Sequence, residues 1–542
     1  MQTIPEFLES TVTNRGDEPA LGCIVAGELH WQTWSDVFEA AQQNATAIRT
    51  AGVGPGDRVA HVSENRYEWV ITDLAIHLAG AVHVPMHVTL SGEQIANQIA
   101  DCGARLVIVS SRKLLSTFVD RIPADVEIRL HDQDDEQGKG MERSLLHPEG
   151  TRPAVAPSPQ PPAPSPDDLA TILYTSGTTG RPRGVMLTQR NLASNAAAMS
   201  DAHGGDYDQT RLCILPLTHI YARTCDLYTW VYRGSRLVLA ERRETLVGDL
   251  QLAQPTVINA VPYVYQRIAD QIRACGVSDE RAALKQFFGG HMQRLCCGGA
   301  ALAPAVENWY AEQGLPVLAG YGLTEASPVI AASTPTMHKI GSVGPPLPGI
   351  EVRLADDGEI IVRGPNVMLG YWQADGTPQP GDAIRNGWLH TGDLGELDHD
   401  GFLFIRGRKK ELIVLSTGKK VLPTRVENLL CTSPLIEQAA VFGDGHSCLS
   451  ALIVPSTCGL ATSVNRESVR EQLATEINRC LAAAAHEEQI HKFALLQRPF
   501  SIERGELTPK MSLCRAVIAR NFSEELQSIS PQSARSTQSK QG

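Results

Sequence analysis

Aromatic residues make up only 5% of the 542 positions, and the chain has no excess of positive charge: 48 lysines and arginines face 60 aspartates and glutamates, a net charge of -12. This balance excludes a broad nucleic-acid-binding surface, which needs a basic stripe, but it leaves room for a local basic pocket around a phosphorylated ligand. The twelve cysteines lack the paired spacing of a zinc site. Cys296 and Cys297 are adjacent, cannot chelate as a C-x-x-C pair, and read as core residues. The opening Met1-Gln2-Thr3-Ile4-Pro5 has neither the basic start nor the apolar centre of a secretory signal. A reducing, cytoplasmic setting is therefore expected.

A membrane span is also missing. The most apolar long stretch, Trp69 to Val88, is broken by Asp73, His77, His83, Pro85 and His87, whereas a span needs about 20 nearly uninterrupted apolar residues. It reads as a buried helix running into a strand, and peripheral membrane contact stays compatible with it. There is no internal repeat and no Gly-x-Ser-x-Gly elbow of a serine hydrolase. "HEEQIH" (486–491) departs from the H-E-x-x-H zinc motif, because its histidines are five positions apart and lie roughly 140° apart on a helix. A solvated or structural helix face is the expectation there.

What the chain does have is alternation. "WSDVFEAAQQNATAIRTAG" reads as a helix capped by Ser35 and ended at Gly52, "GEQIANQIADCG" as another helix, and "DRVAHVS" and "ARLVIVSS" as strands. Strand and helix in turn predict an α/β fold with a parallel sheet. Residues 147–167 are rich in proline and read as an extended linker loop. After it come a strand "LATILY", a second strand "GVMLT", and a helix capped by Thr188. Residues 350–415 alternate in period two with Asp-Gly turns, which predicts antiparallel β structure, and the chain beyond about 425 reads as a small α+β domain. Residues 527–542 read as a disordered tail.

The loop between "LATILY" and "GVMLT" is the richest in function. "LYTSGTTGRPRGV" (173–185) gathers glycines, hydroxyls and arginines between two strands. Glycine lets backbone N–H groups converge, hydroxyls add donors and arginine adds charge, so the loop can cradle a polyphosphate. A flexible surface loop is the alternative reading. The spacing Gly177-x-x-Gly180-x-x-x-Gly184 is not that of a Walker A loop, which needs Gly-x-x-x-x-Gly-Lys-Ser/Thr.

This loop resembles the phosphate loop of the adenylate-forming superfamily, which includes acyl-CoA synthetases, luciferases and nonribosomal adenylation domains. Further motifs resemble that family in order: "LPLTHIYAR" (215–223), "CCGGAAL" (296–302), "GYGLTE" (320–325), "HTGD" (390–393) and "GRKKELIVLSTGKKVLPTRVE" (407–427). The likeness runs from about residue 20 to 520. It implies a large N-terminal domain, 1–407, of parallel α/β sheets plus a β-barrel-like part, and a small mobile α+β lid, 408–526, hinged at Lys410.

The resemblance also implies a chemistry: ATP activates a carboxylate to an acyl-AMP, and coenzyme A then takes the acyl group. Thr175, Ser176, Gly177, Thr178, Thr179, Gly180 and Arg183 would hold the β- and γ-phosphates. Glu325 would hold Mg²⁺, with Thr175 as a second candidate, and Thr324 would bind the α-phosphate. Gly299 and Tyr321 would line the adenine slot beside Gly320 and Gly322. Asp393 would accept from the ribose hydroxyls, and Arg408 would contact the nucleotide. His219 is the implied gate residue, with Val261 and Gly298 on the acyl side.

"QPTVINAVPYVYQRI" (254–268) and "HIYARTCDL" (219–227) resemble long-chain fatty acyl-CoA synthetases in particular. Another apolar carboxylate, an acyl-AMP ligase and a catalytically impaired nucleotide-binding homologue are the alternatives. A homodimer is compatible with the sequence.

Two positions depart from the family pattern. Arg183 stands where lysine is usual. In "GELTPKMSLCR" (505–515), Ser512 takes the place of the catalytic lysine. Lys510, two residues earlier, would lie on the same face of an extended chain and is the candidate substitute.

Overall fold

The computed structural model describes residues 2–132, 163–175, 182–204, 209–242, 244–456, 466–501, 504–507 and 513–529. Most of the proline-rich stretch, residues 176–181 of the phosphate loop, and Lys510 and Ser512 lie outside the described residues. The chain divides into two compact units. The larger comprises 1–299, 308–353 and 361–391; the smaller comprises 300–307, 354–360 and 392–542.

The larger unit contains two eight-stranded sheets. The first runs, edge to edge, Pro378–Gln379, Gly370–Trp372, Arg183–Thr188, Leu169–Thr175, Val82–Met86, Arg58–Val62, Leu106–Val109 and Glu127–Leu130. Its last five strands are parallel, and the hairpin of Leu169–Thr175 and Arg183–Thr188 starts an antiparallel edge. The second runs Val329–Ala332, Val317–Gly322, Arg294–Cys297, Val257–Ala260, Thr210–Cys213, Arg236–Leu239, Pro19–Val25 and Glu28–Thr33, with parallel pairs in its middle. Val82–Met86 and Leu106–Val109 are buried at every position, as expected of parallel strands covered on both faces. Cys296 and Cys297 are buried on their strand, and the described cysteines are all free.

Local chemistry sets the helix ends. The helix Trp34–Thr50 is capped by Thr33 and not by Ser35: Thr33 Oγ1 accepts from Asp36 N at 3.2 Å, and Asp36 Oδ2 accepts from Thr33 N at 2.8 Å. The reciprocal pairing satisfies two orphan donors, which Ser35 cannot do. Thr188 caps Gln189–His203 as expected. Among the described residues no helix is long and apolar enough to cross a membrane.

The Trp69–Val88 stretch is the helix Tyr67–Leu78 followed by the strand Val82–Met86. Its polar residues form the centre of a buried network. Asp73 Oδ1 accepts from His83 Nδ1 at 2.6 Å and from Arg223 Nη2 at 2.6 Å. His61 Nδ1 lies 3.2 Å from His83 Nε2, and His77 Nε2 lies 2.9 Å from the Tyr228 hydroxyl. The tautomers follow from the carboxylate. Because Asp73 takes the proton-bearing Nδ1 of His83, the neutral His83 accepts at Nε2, so His61 donates from Nδ1.

In the smaller unit, Ile436–Phe442, Leu449–Pro455 and Ile490–Leu495 form one sheet, antiparallel then parallel. The helices Pro423–Leu430 and Arg466–Cys480 accompany it. Antiparallel pairing within 392–408 is observed, Asp393 opposite Arg408 through Leu397 opposite Leu403. Two expectations change here. His486 and His491 do not share a helix, since a 3-10 turn covers 486–488 and a strand begins at Ile490; among the described residues no cluster of metal-binding side chains exists. The helix Ser523–Ile529 also extends into the expected tail, because Ile529 is an apolar anchor buried with Leu452, Phe500 and Phe522. Residues 530–542 lie outside the described residues.

The buried histidines make the fold sensitive to acid. Burial holds His77 down to about 3 and His83, His131 and His203 down to about 4, and it holds His61 well below its usual range. The unfolded chain binds these protons near pH 6.5. It thus carries more protons than the fold between about pH 4 and 6.5, and stability falls as pH falls through that window. Burial pushes the Asp226 carboxyl up to about 7, which acts in the opposite sense and offsets part of the loss. The lowered histidines outnumber that carboxyl, so a net loss of stability between pH 7.5 and 5.5 remains. A thermal midpoint several degrees lower at pH 5.5 is expected from scanning calorimetry, and an equal or higher midpoint contradicts the assignment.

Candidate active site

The carboxyl ends of neighbouring parallel strands in the second sheet gather most of the expected residues. Val257–Ala260 is followed by Val261, Arg294–Cys297 by Gly298 and Gly299, and Val317–Gly322 leads to Thr324 and Glu325. These strands are adjacent, with Ala260 opposite Cys297 and Cys297 opposite Ala319. Ligands of open α/β sheets bind at such ends.

Val261 sits at the N-cap of the helix Pro262–Ala274. His219 occupies the same position before the short helix Ile220–Ala222, its ring 4.5 Å from that of His87. Gly298 faces Tyr221, two residues after His219, and a Cβ there would lie 3.0 Å from the ring. Gly298 is thus packed against the helix that His219 caps, while the His219 ring itself meets His87.

The glycines of "GYGLTE" have unequal roles. A Cβ on Gly320 would meet only ordinary contacts, whereas a Cβ on Gly322 would lie 1.8 Å from the Pro328 carbonyl oxygen. That close approach allows Leu323 N to donate to Pro328 O at 3.0 Å and closes the turn bearing Thr324 and Glu325. Gly299 adopts φ +87°, open to glycine at little cost. Tyr321 is half-buried on the strand between Gly320 and Gly322.

Glu325 is half-buried, and its Oε1 accepts from the Tyr371 hydroxyl at 2.9 Å. No hydrogen bond reaches Oε2 among the described residues. The Arg183 guanidinium lies over the same tyrosine ring, 4.0 Å from its centroid. Burial and Glu325 both push the tyrosine hydroxyl up, so it stays a donor. Tyr371 thus joins a carboxylate from one sheet to a cation from the other. Thr175 lies opposite Arg183 at the end of its strand. The donor set here is carboxylate and hydroxyl oxygen with an arginine alongside, which fits a hard divalent ion on a polyphosphate. Ser176, Gly177, Thr178, Thr179 and Gly180 lie outside the described residues.

In the smaller unit, Asp393 is buried within the strand Trp388–Leu397 and is not a turn residue. Its Oδ1 pairs with Arg408 Nε at 2.9 Å across the two-strand register. Lys410 is exposed on the 3-10 turn Lys409–Glu411. Around the Lys510 segment the described flanks are firmly held. Glu506 is fully buried and takes two bonds from Arg498, each at 2.7 Å, and Leu507 pairs antiparallel with Leu513.

Residues 8–372 match the family described as AMP-binding enzyme, and residues 410–532 match the AMP-binding enzyme C-terminal domain. The chain belongs to the AMP-binding enzyme family. It is 33% identical to the long-chain-fatty-acid–CoA ligase FadD15 of Mycobacterium bovis, over 92% of each chain. It is 31% identical to the feruloyl-CoA synthase of an Amycolatopsis species, over 76% of this chain and 80% of that one. Among solved structures, ATP-bound MatB from Rhodopseudomonas palustris superposes with a TM-score of 0.78 at 23% identity, over 96% of this chain and 99% of that one. The AMP-binding protein described here is an adenylate-forming acid–thiol ligase that uses ATP, coenzyme A and a carboxylate.

Sequence reasoning missed Tyr371. It lies 46 residues from Glu325, in a motif without chemical peculiarity, and reaches the site only because Gly370–Trp372 pairs with Arg183–Thr188. Tyr371→Phe keeps the ring under Arg183 and removes the donor to Glu325. The bond is present without nucleotide, so its loss, worth about 1.5–3 kcal/mol for a bond to a charged group, should lower the thermal midpoint. Scanning calorimetry of the variant beside the parent checks this, and an unchanged midpoint contradicts it.

Proposed function

We propose that this enzyme converts a long-chain fatty acid to its coenzyme A thioester. The observation that supports the reading is the row of small and apolar residues at neighbouring strands, Val261 and Gly298 just past two strand ends and Gly320 within the next strand, with Tyr221 packed against Gly298. Glycine at 298 lets the Tyr221 ring pack directly against this strand end, where a Cβ would lie 3.0 Å from it, and gives that side an aromatic, apolar wall. The similarity to a long-chain-fatty-acid–CoA ligase over nearly the whole chain supports the same choice, and the similarity to a feruloyl-CoA synthase makes aryl acids the comparison class.

The chemistry is two displacements. A carboxylate oxygen attacks the α-phosphorus of ATP, and pyrophosphate leaves. The thiol sulfur of coenzyme A then attacks the acyl carbonyl carbon, AMP leaves, and the thiol proton passes to solvent. Positioning and charge neutralisation do most of the work in such transfers. Glu325, with Thr175 second, would hold Mg²⁺, which when bound neutralises phosphate charge. Thr324 would face the α-phosphate, Arg183 and the loop 176–180 the outer phosphates, and Gly299 and Tyr321 the adenine. Asp393 and Arg408 would take the ribose and nucleotide, with Lys410 as the hinge.

Lys510 is the proposed substitute for a lysine at 512. The Glu506–Arg498 clamp and the Leu507–Leu513 pair support it, since they fix both ends of a short segment. Ser512 itself favours a second reading, a nucleotide-binding homologue impaired in the first step.

The test is a panel of saturated acids from octanoate to stearate, with ferulate and benzoate, scored for AMP and acyl-CoA. Preference for the longer fatty acids is expected, and preference for aryl acids overturns the substrate choice. In the same assay Lys510→Ala should abolish adenylation while sparing thioester formation from supplied acyl adenylate. Normal activity in that variant removes Lys510 from the mechanism, and a manyfold gain from Ser512→Lys identifies the impaired homologue.

A further inference from the structure

The helix that follows His219 is irregular. Arg223–Tyr228 forms a π-helix, and all six of its residues are buried. Such turns are rare, weaken the helical ladder and recur at functional sites. The carbonyls it displaces are met by side chains. Thr229 Oγ1 donates to Thr224 O at 2.9 Å, and Arg211 Nη1 donates to Cys225 O at 3.0 Å. The widened turn sends three polar side chains to three different elements.

Arg223 Nη1 donates to Thr171 Oγ1 at 2.8 Å, on the strand that runs four residues later into Thr175. Its other nitrogens bind the fully buried Asp73. Thr224 Oγ1 donates to Ser327 O at 2.9 Å, directly after the Thr324–Ala326 turn. The same turn is held from its far side, where Asn366 Nδ2 donates to Ala326 O at 2.8 Å and Ser327 Oγ donates to Asn366 O at 2.8 Å. Asp226 Oδ1 accepts from Asn259 Nδ2, on the strand that ends just before Val261.

We propose that the π-helix Arg223–Tyr228 positions both substrate sites, its Arg223, Thr224 and Asp226 tethering respectively the strand into the phosphate loop, the turn bearing Glu325, and the strand that ends at Val261. This rests on the site assignment above. A buried ion pair such as Asp73–Arg223 is not needed for stability, because well-packed apolar residues serve as well. Its three-way bonding instead fixes one geometry. The tethers also divide the work: those of Arg223 and Thr224 end on the nucleotide side, and that of Asp226 ends on the acyl side. None of these side chains is a catalytic residue; each acts through a backbone segment.

The division is testable in the full-length enzyme. Thr224→Val keeps the shape and removes one donor. It should weaken calorimetric ATP binding about fivefold with the thermal midpoint nearly unchanged, and leave the acid chain-length profile intact. Asp226→Ala should shift that profile and leave ATP affinity within about twofold, with Asp226→Asn as the second variant if alanine does not fold. Arg223→Lys keeps the charge, loses the planar fork and should weaken ATP binding. The proposal is overturned if ATP affinity moves equally in the Thr224 and Asp226 variants, if it moves in neither, or if every loss merely tracks the thermal midpoint. A wild-type enzyme that binds ATP but activates no acid would refute the proposed function and still leave the ATP-binding comparison decisive.

Discussion

A carboxylate removed from water must be paired. Asp73 is fully buried, and the surrounding structure meets that demand with Arg223 and His83. The pairing draws in His61 and, through Tyr228, His77. It locks a helix, two strands of the first sheet and the segment after His219 into one arrangement. Through Arg223 it also reaches Thr171 on a third strand of that sheet. The same requirement accounts for much of the acid sensitivity, because every histidine in the network must be neutral for the tautomer order to hold, and His203 adds to it from outside the network.

The second constraint is close backbone approach. Gly322 brings its strand against the Pro328 carbonyl, and the resulting turn aims Glu325 at Tyr371. The carboxylate then takes the Tyr371 hydroxyl on one oxygen, with the guanidinium of Arg183 over the same ring. This geometry follows from strand ends, where backbone direction changes and side chains can converge. The fold supplies the platform, and a few residues at its rim supply the chemistry.

Much of this was legible along the chain. Alternation of periodic helices with short apolar runs reports a parallel α/β sheet because each element buries its own face. Thr188 carries a local reason that sequence spacing can express, whereas the close approach of Gly322 to the Pro328 carbonyl is visible only in the fold. The choice of Thr33 over Ser35 turned on which hydroxyl has an acidic side chain three residues later, a rule that was available and decisive. Asp73, His77 and His83 left a signal as well: polar residues in a buried apolar stretch must have partners. Their partners, Arg223 and Tyr228, lie about 150 positions away, and only the tertiary fold names them. Tyr371 left no signal, since its role depends on strand pairing across the sheet edge.

In an adenylate-forming ligase the carboxylate itself attacks the α-phosphorus before coenzyme A takes the acyl group. That attack leaves one carboxylate oxygen on AMP. Turnover of a heavy-oxygen-labelled fatty acid, with the products resolved by mass spectrometry, tests it directly. The account predicts a single heavy oxygen in AMP and none in pyrophosphate. Label in an inorganic phosphate product, or unlabelled AMP accompanying acyl-CoA formation, would contradict it.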